Sequence, residues 1–296
     1  MNKSTAKKIT VFLYHDVNND PSRFCKDYNL NVSISVFKSQ IKWIKRNFNI
    51  ISPKNIENPG TLPNHSALIT FDDGFLGAYS NGIRFLIKNR IPSIMFLNMG
   101  HIINRSPIIS AKAIFYQKFS EELKISKDQM LHLIINPSKL KEIENTLVKN
   151  YNNEILRFQG SLADYNMVKE FAKNKYVYYG NHLFDHWNSP VLNNSEFIGN
   201  LKKNEEELKK LNNSTNFFAF PNGIYTEENI RVLKNLKFKK IFYSTGNNNF
   251  DLNSFMLDRI ALTELEYNPI KLYLRVLKSN YKSFVLNKFL GILRRI

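Results

Sequence analysis

The sequence predicts an α/β fold in which strands alternate with helices around a parallel sheet, closed or nearly closed into a barrel. Three observations carry this. Short apolar runs of strand length recur between segments of helical spacing along the 296-residue chain. Polar residues able to do chemistry follow the ends of these runs, where a barrel keeps its active site. Hydrophobic content of 43% and aromatic content of 13% provide for a real core, in one large barrel or two smaller domains.

Ile9 to Tyr14 reads as the first strand, about residues 8 to 14, and runs into His15 and Asp16. After a polar loop with Pro21, Ser33 or Ser35 starts a helix on which Phe37, Ile41 and Ile44 recur at helical spacing. Asn49-Ile50-Ile51 is a short strand, and Pro53 and Pro59-Gly60 mark loop. Leu68 to Phe71 is a buried strand stopping at Asp72, Asp73 and Gly74. A helix over roughly 78 to 89 and a strand from Pro92 to Leu97 follow. Residues 107 to 175 read as a helical insertion, a lid or an oligomer contact, with patterns over Ala113 to Leu123 and Leu140 to Tyr151. Strands return at Tyr176 to Tyr179, Phe217 to Phe220, Ile241 to Ser244 and Arg259 to Leu262, with helices at about 194 to 211 and 226 to 236 between them. The barrel is thus expected over 8–268, and a basic amphipathic tail over 269–296.

A formal charge of +17 favours anionic partners, although a chain rich in Asn, Lys and Ile is also basic through codon bias. No zinc-finger, RNA-recognition or P-loop pattern accompanies it, which argues against specific nucleic-acid binding. Cys25 is the only cysteine, so no intrachain disulfide is expected. The first apolar run is short and lacks a small-residue cleavage site, and nowhere do 18 apolar residues run together. The expected compartment is the cytoplasm. In the tail no acidic residue follows Glu266, whereas Lys271, Arg275, Lys278 and further basic residues interleave with Leu272, Leu274 and Val276. Two readings stand: peripheral contact with the inner face of an anionic membrane, or a closing helix with a basic outer face.

Asp72 and Asp73 could merely end a strand in an Asp-Asp-Gly turn. They could also divide labour at a strand end, one holding a metal and the other accepting a proton. His182 and His186 sharpen the second reading. On a helical turn residues four apart share a face, so both imidazoles could reach one ion. Two histidines and a carboxylate suit zinc and related divalent metals, with a position left for water made nucleophilic near neutral pH.

Thr70-Phe71-Asp72-Asp73-Gly74 resembles the first motif of the polysaccharide deacetylases, the NodB-homology domain of carbohydrate esterase family four. Gly180-Asn181-His182 through His186 resembles their second motif, and Phe218 to Gly223 is similar to their third. The resemblance implies a distorted (β/α)7 barrel that removes acetyl groups from N-acetylated sugars with a divalent metal, zinc foremost, with Co, Ni, Mn or Fe as alternatives. It implies Asp73, His182 and His186 as metal ligands, Asp72 as general base, and an oxyanion contact from the backbone N–H of Asn222 between Pro221 and Gly223.

The chain departs from the pattern in three places. The family usually has Ser or Thr after the first motif histidine, where this chain has Leu183. The arginine often found in the third motif is missing, with Arg259 a candidate to stand in. No histidine follows His186, so the usual C-terminal general acid is absent from its usual place. Tyr14-His15-Asp16-Val17, however, resembles the opening of the poly-N-acetylglucosamine deacetylase branch, in which that motif is moved to the N-terminus, and implies His15 as the general acid. Asp185 could support a ligand histidine, and Trp187 and Tyr225 could stack on a sugar. His65, His101 and His132 read as structural. The expected substrate is an acetylated glycan or a lipid-linked or nucleotide-linked sugar, with deformylation and O-deacetylation as variants. A catalytically silent barrel binding acidic glycan or membrane is the alternative.

Overall fold

A computed structural model describes residues 8–124, 137–147, 149–249 and 253–279. Ten strands occur among the described residues: β1 (Ile9–Tyr14), β2 (Asp16–Val17), β3 (Asn31–Val32), β4 (Asn49–Ile50), β5 (Ser66–Asp72), β6 (Ser93–Leu97), β7 (Val177–Asn181), β8 (Ser214–Ala219), β9 (Lys240–Tyr243) and β10 (Met256–Ala261). Seven of them, β5 to β10 and β1, pair in parallel, and β1 closes the ring by pairing with both β10 and β5. The chain is a (β/α)7-type barrel. β4 adds to the start of β5, pairing Asn49 with Ser66, while β6 pairs only from Thr70 onward. β2 and β3 form a separate ribbon.

Alternation along the strands decides what faces inward. Val11, Leu68, Ile94, Phe96, Tyr178, Phe217, Ala219, Phe242 and Leu257 form one buried cluster. Phe12, Tyr14, Ile69, Phe71, Met95 and Leu97 belong to another, shared with the covering helices. Continuing the inner parity past the last apolar residue of each strand reaches His15 after β1, Asp72 on β5, His182 after β7 and Arg259 on β10. The period of two therefore delivers four polar side chains to one end of the barrel. Gly180 keeps that interior open, because a Cβ there would meet the Phe96 ring at 2.4 Å.

The helix Ile34–Asn47 begins after Ser33 and buries Phe37, Ile41 and Ile44, as its spacing predicts. The helix expected over 78 to 89 is present but opens as a π-helix, Ala78–Ile83, before the α-helix Arg84–Lys88. Wider π geometry is invisible to a 3.6-residue pattern. In the insertion, the described residues form helices Ile109–Lys118, Pro137–Thr146, Asn152–Gln159 and Tyr165–Ala172. The pattern read over Leu140 to Tyr151 thus stops at Thr146, and Asn150 accepts from the Asn152 N–H in the turn before the next helix.

Residues 269–279 are helical. Leu272 and Val276, four apart, are buried in the same core as Phe12 and Ile260. The outer face carries Ile270 (71% exposed), Tyr273, Leu274 and Leu277, so it is chiefly apolar rather than basic. The rest of the tail, from 280 onward, lies outside the described residues, as does His132. No helix among the described residues is long and apolar enough to cross a membrane.

Candidate metal centre

β5 ends at Asp72, and the next two residues turn with positive φ, Asp73 at 69° and Gly74 at 84°. The Gly74 N–H returns to the Asp72 carbonyl at 2.8 Å, while the Asp73 N–H donates to Phe96 O on β6 at 3.1 Å. This tight turn sends two successive carboxylates into the same space. Across the barrel, β7 ends at Asn181 and His182 leads into a loop.

The expected helical turn between His182 and His186 is not there. Residues 182 to 188 are irregular, with Leu183 at φ 61° and His186 at φ 56°. Two left-handed residues fold the loop back and bring the imidazoles together, their centroids 5.0 Å apart. Sequence spacing alone cannot distinguish this route from a helical one.

Asp73, His182 and His186, all buried, present ligand atoms within 4.8 Å of one another. Asp73 Oδ1 lies 3.1 Å from His186 Nε2 and 3.5 Å from His182 Nε2. A tetrahedral ion with bonds near 2.0–2.1 Å sets its ligands about 3.3 Å apart. His182 Nδ1 donates to Ala219 O at 2.8 Å, since a carbonyl can only accept. In the neutral imidazole, Nε2 then turns a lone pair toward the carboxylate. Asp73 Oδ1 is buried and makes no hydrogen bond of its own. Acceptors facing acceptors in a dry site ask for a cation, so the residues fit a divalent metal. The electrostatics of the pocket point the same way. Burial lowers the His182 pKa, but Asp72 and Asp73 outweigh it and the net shift is upward. Burial likewise favours neutral Asp73, yet His186 and His182 hold its carboxyl well below the usual range.

Asp72 has a different partner. Arg259 on β10 donates to both its oxygens, Nη1 to Oδ1 and Nη2 to Oδ2, each at 2.7 Å. Burial pushes the Asp72 pKa up, and Arg259 and His182 more than reverse this. Arg259 itself lies over Phe96, its Cζ 5.5 Å from the ring centroid. Asp72 is therefore an ionised carboxylate held in one plane, 3.8 Å from His182 Nε2 and outside the cluster of three.

His15, Asp72, Asp73, His182, His186 and Asn222 line one cavity of about 240 Å³, together with Gly223 and Arg259. Burial lowers the His15 pKa against the pull of Asp73 and Asp72. Pro221 is buried next to the cavity, and Asn222 adopts φ 54°. Tyr225 stacks on Phe220 at 4.9 Å instead of facing the cavity. Trp187 lines a second cavity of about 220 Å³ that shares Ser110, His186 and Asn222 with the first.

Three contributors escape a reading by motif. Ser110 Oγ, at the start of the insertion, lies 2.8 Å from His186 Nδ1. Asn98 donates to the carbonyl oxygens of His182 and Leu183, fixing the loop from below. Asn204 donates to Leu97 O and Asn181 Oδ1, each at 2.8 Å, and Asn181 Oδ1 accepts from the Leu183 N–H. One signal was available for this network: Asn204 interrupts the buried row Phe197, Leu201, Leu208 on its helix. Ser110 carried none.

The sequence model of the family described as polysaccharide deacetylase matches residues 60–241. A poly-beta-1,6-N-acetyl-D-glucosamine N-deacetylase of Staphylococcus aureus is 25% identical over 211 residues, 70% of this chain and 58% of that protein. The alignment thus spans little more than half the length of that relative. Among solved structures, the Streptococcus pyogenes deacetylase PplD in complex with acetate superposes with TM-score 0.64 at 15% identity, covering 92% of this chain and 99% of that one. IcaB from Ammonifex degensii gives TM-score 0.61 at 18% identity, covering 91% and 98%.

Proposed function

Because the chain belongs to the polysaccharide deacetylase family, we propose that it is a metal-dependent carbohydrate N-deacetylase, releasing acetate and leaving a free amine on the sugar. The observation that carries this is the separation of roles at the barrel mouth: three buried ligand atoms with spacing suited to one ion, beside a carboxylate reserved by arginine. Asp73, His182 and His186 would hold the metal. When bound, it supplies Lewis acidity, easing loss of a proton from water and polarising the amide carbonyl.

The chain's own groups do the rest. Asp72, ionised and held by Arg259, accepts the proton from the attacking water. His15 on the facing wall of the cavity donates to the departing nitrogen. Its lowered pKa makes it a ready donor once protonated, and the two aspartates favour that charge. The backbone N–H of Asn222, a residue lining the cavity, would receive the developing oxyanion. Leu13, Phe24, Leu30 and Phe220 wall the cavity and limit water.

The relatives favour a polymer of β-1,6-linked N-acetylglucosamine as substrate. The adjoining cavity at Trp187, Ile109 and Ile114 has room for a neighbouring sugar unit, its apolar walls suited to a pyranose face. Acetate release measured against a panel of acetylated glycans and lipid-linked sugars, with and without chelator, tests the reading. Release from the β-1,6 polymer that chelator stops is the expected result; no release from any acetylated glycan would contradict it.

A surface contact is also proposed. Leu265, Tyr267, Ile270, Tyr273, Leu274 and Leu277 are exposed along one stretch, flanked by exposed Lys271 and Lys278. With +17 overall and no acid after Glu266, the charge complements an anionic lipid face.

A further inference from the structure

The insertion is fastened to the barrel where the chemistry is. Gly74 O accepts from the Ala163 N–H at 2.9 Å, and the Leu76 N–H donates to Ser161 O at 2.9 Å. Buried Gln159 accepts from the Ile108 N–H through Oε1 at 2.6 Å, and its backbone carbonyl accepts from Ser22 Oγ at 2.6 Å. These bonds fix the residues just before the helix Ile109–Lys118, whose second residue is Ser110. The Ser110 hydroxyl then meets His186 Nδ1 at 2.8 Å.

That contact matters because of what the second motif lacks. A metal-ligating imidazole needs a partner at its other nitrogen to set the tautomer and the ring plane. For His182 this is the Ala219 carbonyl. For His186 the loop offers nothing comparable: Leu183, where the family usually carries a hydroxyl, is fully buried in an apolar cluster. We infer that Ser110 is a positioning residue of the metal centre, accepting from His186 Nδ1–H so that Nε2 is free to ligate. The insertion thereby supplies the hydroxyl partner that the His182–His186 loop does not. Its first helix is then a working part of the site. This inference rests on the reading of Asp73, His182 and His186 as metal ligands.

The test is zinc affinity, measured by competition with a chromophoric chelator on the full chain, for the unmodified protein, Ser110→Ala and Ser110→Thr. Thermal unfolding of the metal-free forms is recorded alongside. Ser110→Ala is expected to weaken zinc binding about 10- to 100-fold, with metal-free unfolding unchanged, and Ser110→Thr to stay within about threefold. An Ala variant that binds zinc like the unmodified chain would overturn the role of Ser110. So would equal weakening in Ala and Thr, because the hydroxyl would then not be what matters. An unmodified chain that holds no zinc would instead overturn the metal-centre reading, and the inference with it.

Discussion

Arg259 and Asp72, 187 positions apart in sequence, meet inside the barrel through two parallel hydrogen bonds of 2.7 Å. Each comes from the inward parity of its strand, and each is almost fully buried. A bidentate pair in a dry site fixes both the plane and the charge of the carboxylate. Breaking it should be costly in two distinguishable ways. Arg259→Met would leave the carboxylate buried and unpaired, a loss of roughly 3–5 kcal/mol of stability. Without the cation the Asp72 pKa rises, so the acid limb of kcat/KM should move to higher pH, since the base must be ionised. An acid limb unmoved in a folded, metal-loaded variant would contradict the assignment of Asp72.

Asp72→Asn separates base from ligand. The metal should stay bound, because Asp72 lies outside the set of three, while turnover falls by about 10²–10⁴-fold. His182→Ala should lose metal and turnover together. Metal content and acetate release on the same samples check both; activity close to unmodified in Asp72→Asn would remove it as the general base.

How much of this was readable beforehand follows from what a sequence pattern can encode. Short apolar runs between helical segments announced the strands, and the adjacent carboxylates at a strand end marked the site. Arg259 was readable only as a candidate, because nothing in its strand says that it faces Asp72 across the ring. The His182–His186 spacing suggested a helical turn, but the loop is made by left-handed backbone at Leu183 and His186, which non-glycine residues do not advertise. Ser110 sits in a polar-apolar helical texture indistinguishable from its surroundings, and its role exists only once Gln159 has fastened the insertion.

Gly180 offers a purely steric prediction. A methyl at this position would overlap the Phe96 ring, with contacts of 2.4 and 2.5 Å. Phe96 in turn packs on Phe242 and underlies Arg259, so it cannot withdraw freely. Gly180→Ala should therefore destabilise by roughly 1–3 kcal/mol and disturb the Arg259–Asp72 pair. Denaturant unfolding is the check, and an unchanged midpoint would show that the interior yields more easily than this packing implies.

His101 predicts an acid-sensitive stability in the metal-free protein. It is buried against Ser106, with Nδ1 at 3.0 Å from Oγ, and burial takes its pKa from 6.5 down to about 4 despite a backbone contact at Asp185. The unfolded chain therefore binds a proton that the folded one refuses. Stability from this group is complete above about pH 6.5 and is lost as pH falls toward 4, by roughly 3 kcal/mol over the interval. Melting of metal-free protein between pH 7.5 and 4.5 should fall more steeply for the unmodified chain than for His101→Gln. Parallel curves would contradict it.

The outer face of residues 269–279 predicts binding to vesicles containing anionic lipid, and weak binding to neutral ones. Lys271→Gln and Lys278→Gln should each weaken it roughly fivefold, about 1 kcal/mol per charge. Ile270→Asp with Leu274→Asp should abolish it. Equal sedimentation with neutral and anionic vesicles would contradict the proposed surface, as would concentration-dependent dimerisation that the apolar substitutions remove.

The most direct test of the whole account is the metal content of the purified chain after equilibration with zinc and removal of the excess. One zinc per chain is expected for the unmodified protein and for Asp72→Asn, and none for Asp73→Ala or for the His182→Ala, His186→Ala double variant. An unmodified chain that retains no zinc, or an Asp73→Ala variant that retains it undiminished, would contradict the convergence of Asp73, His182 and His186 on one ion.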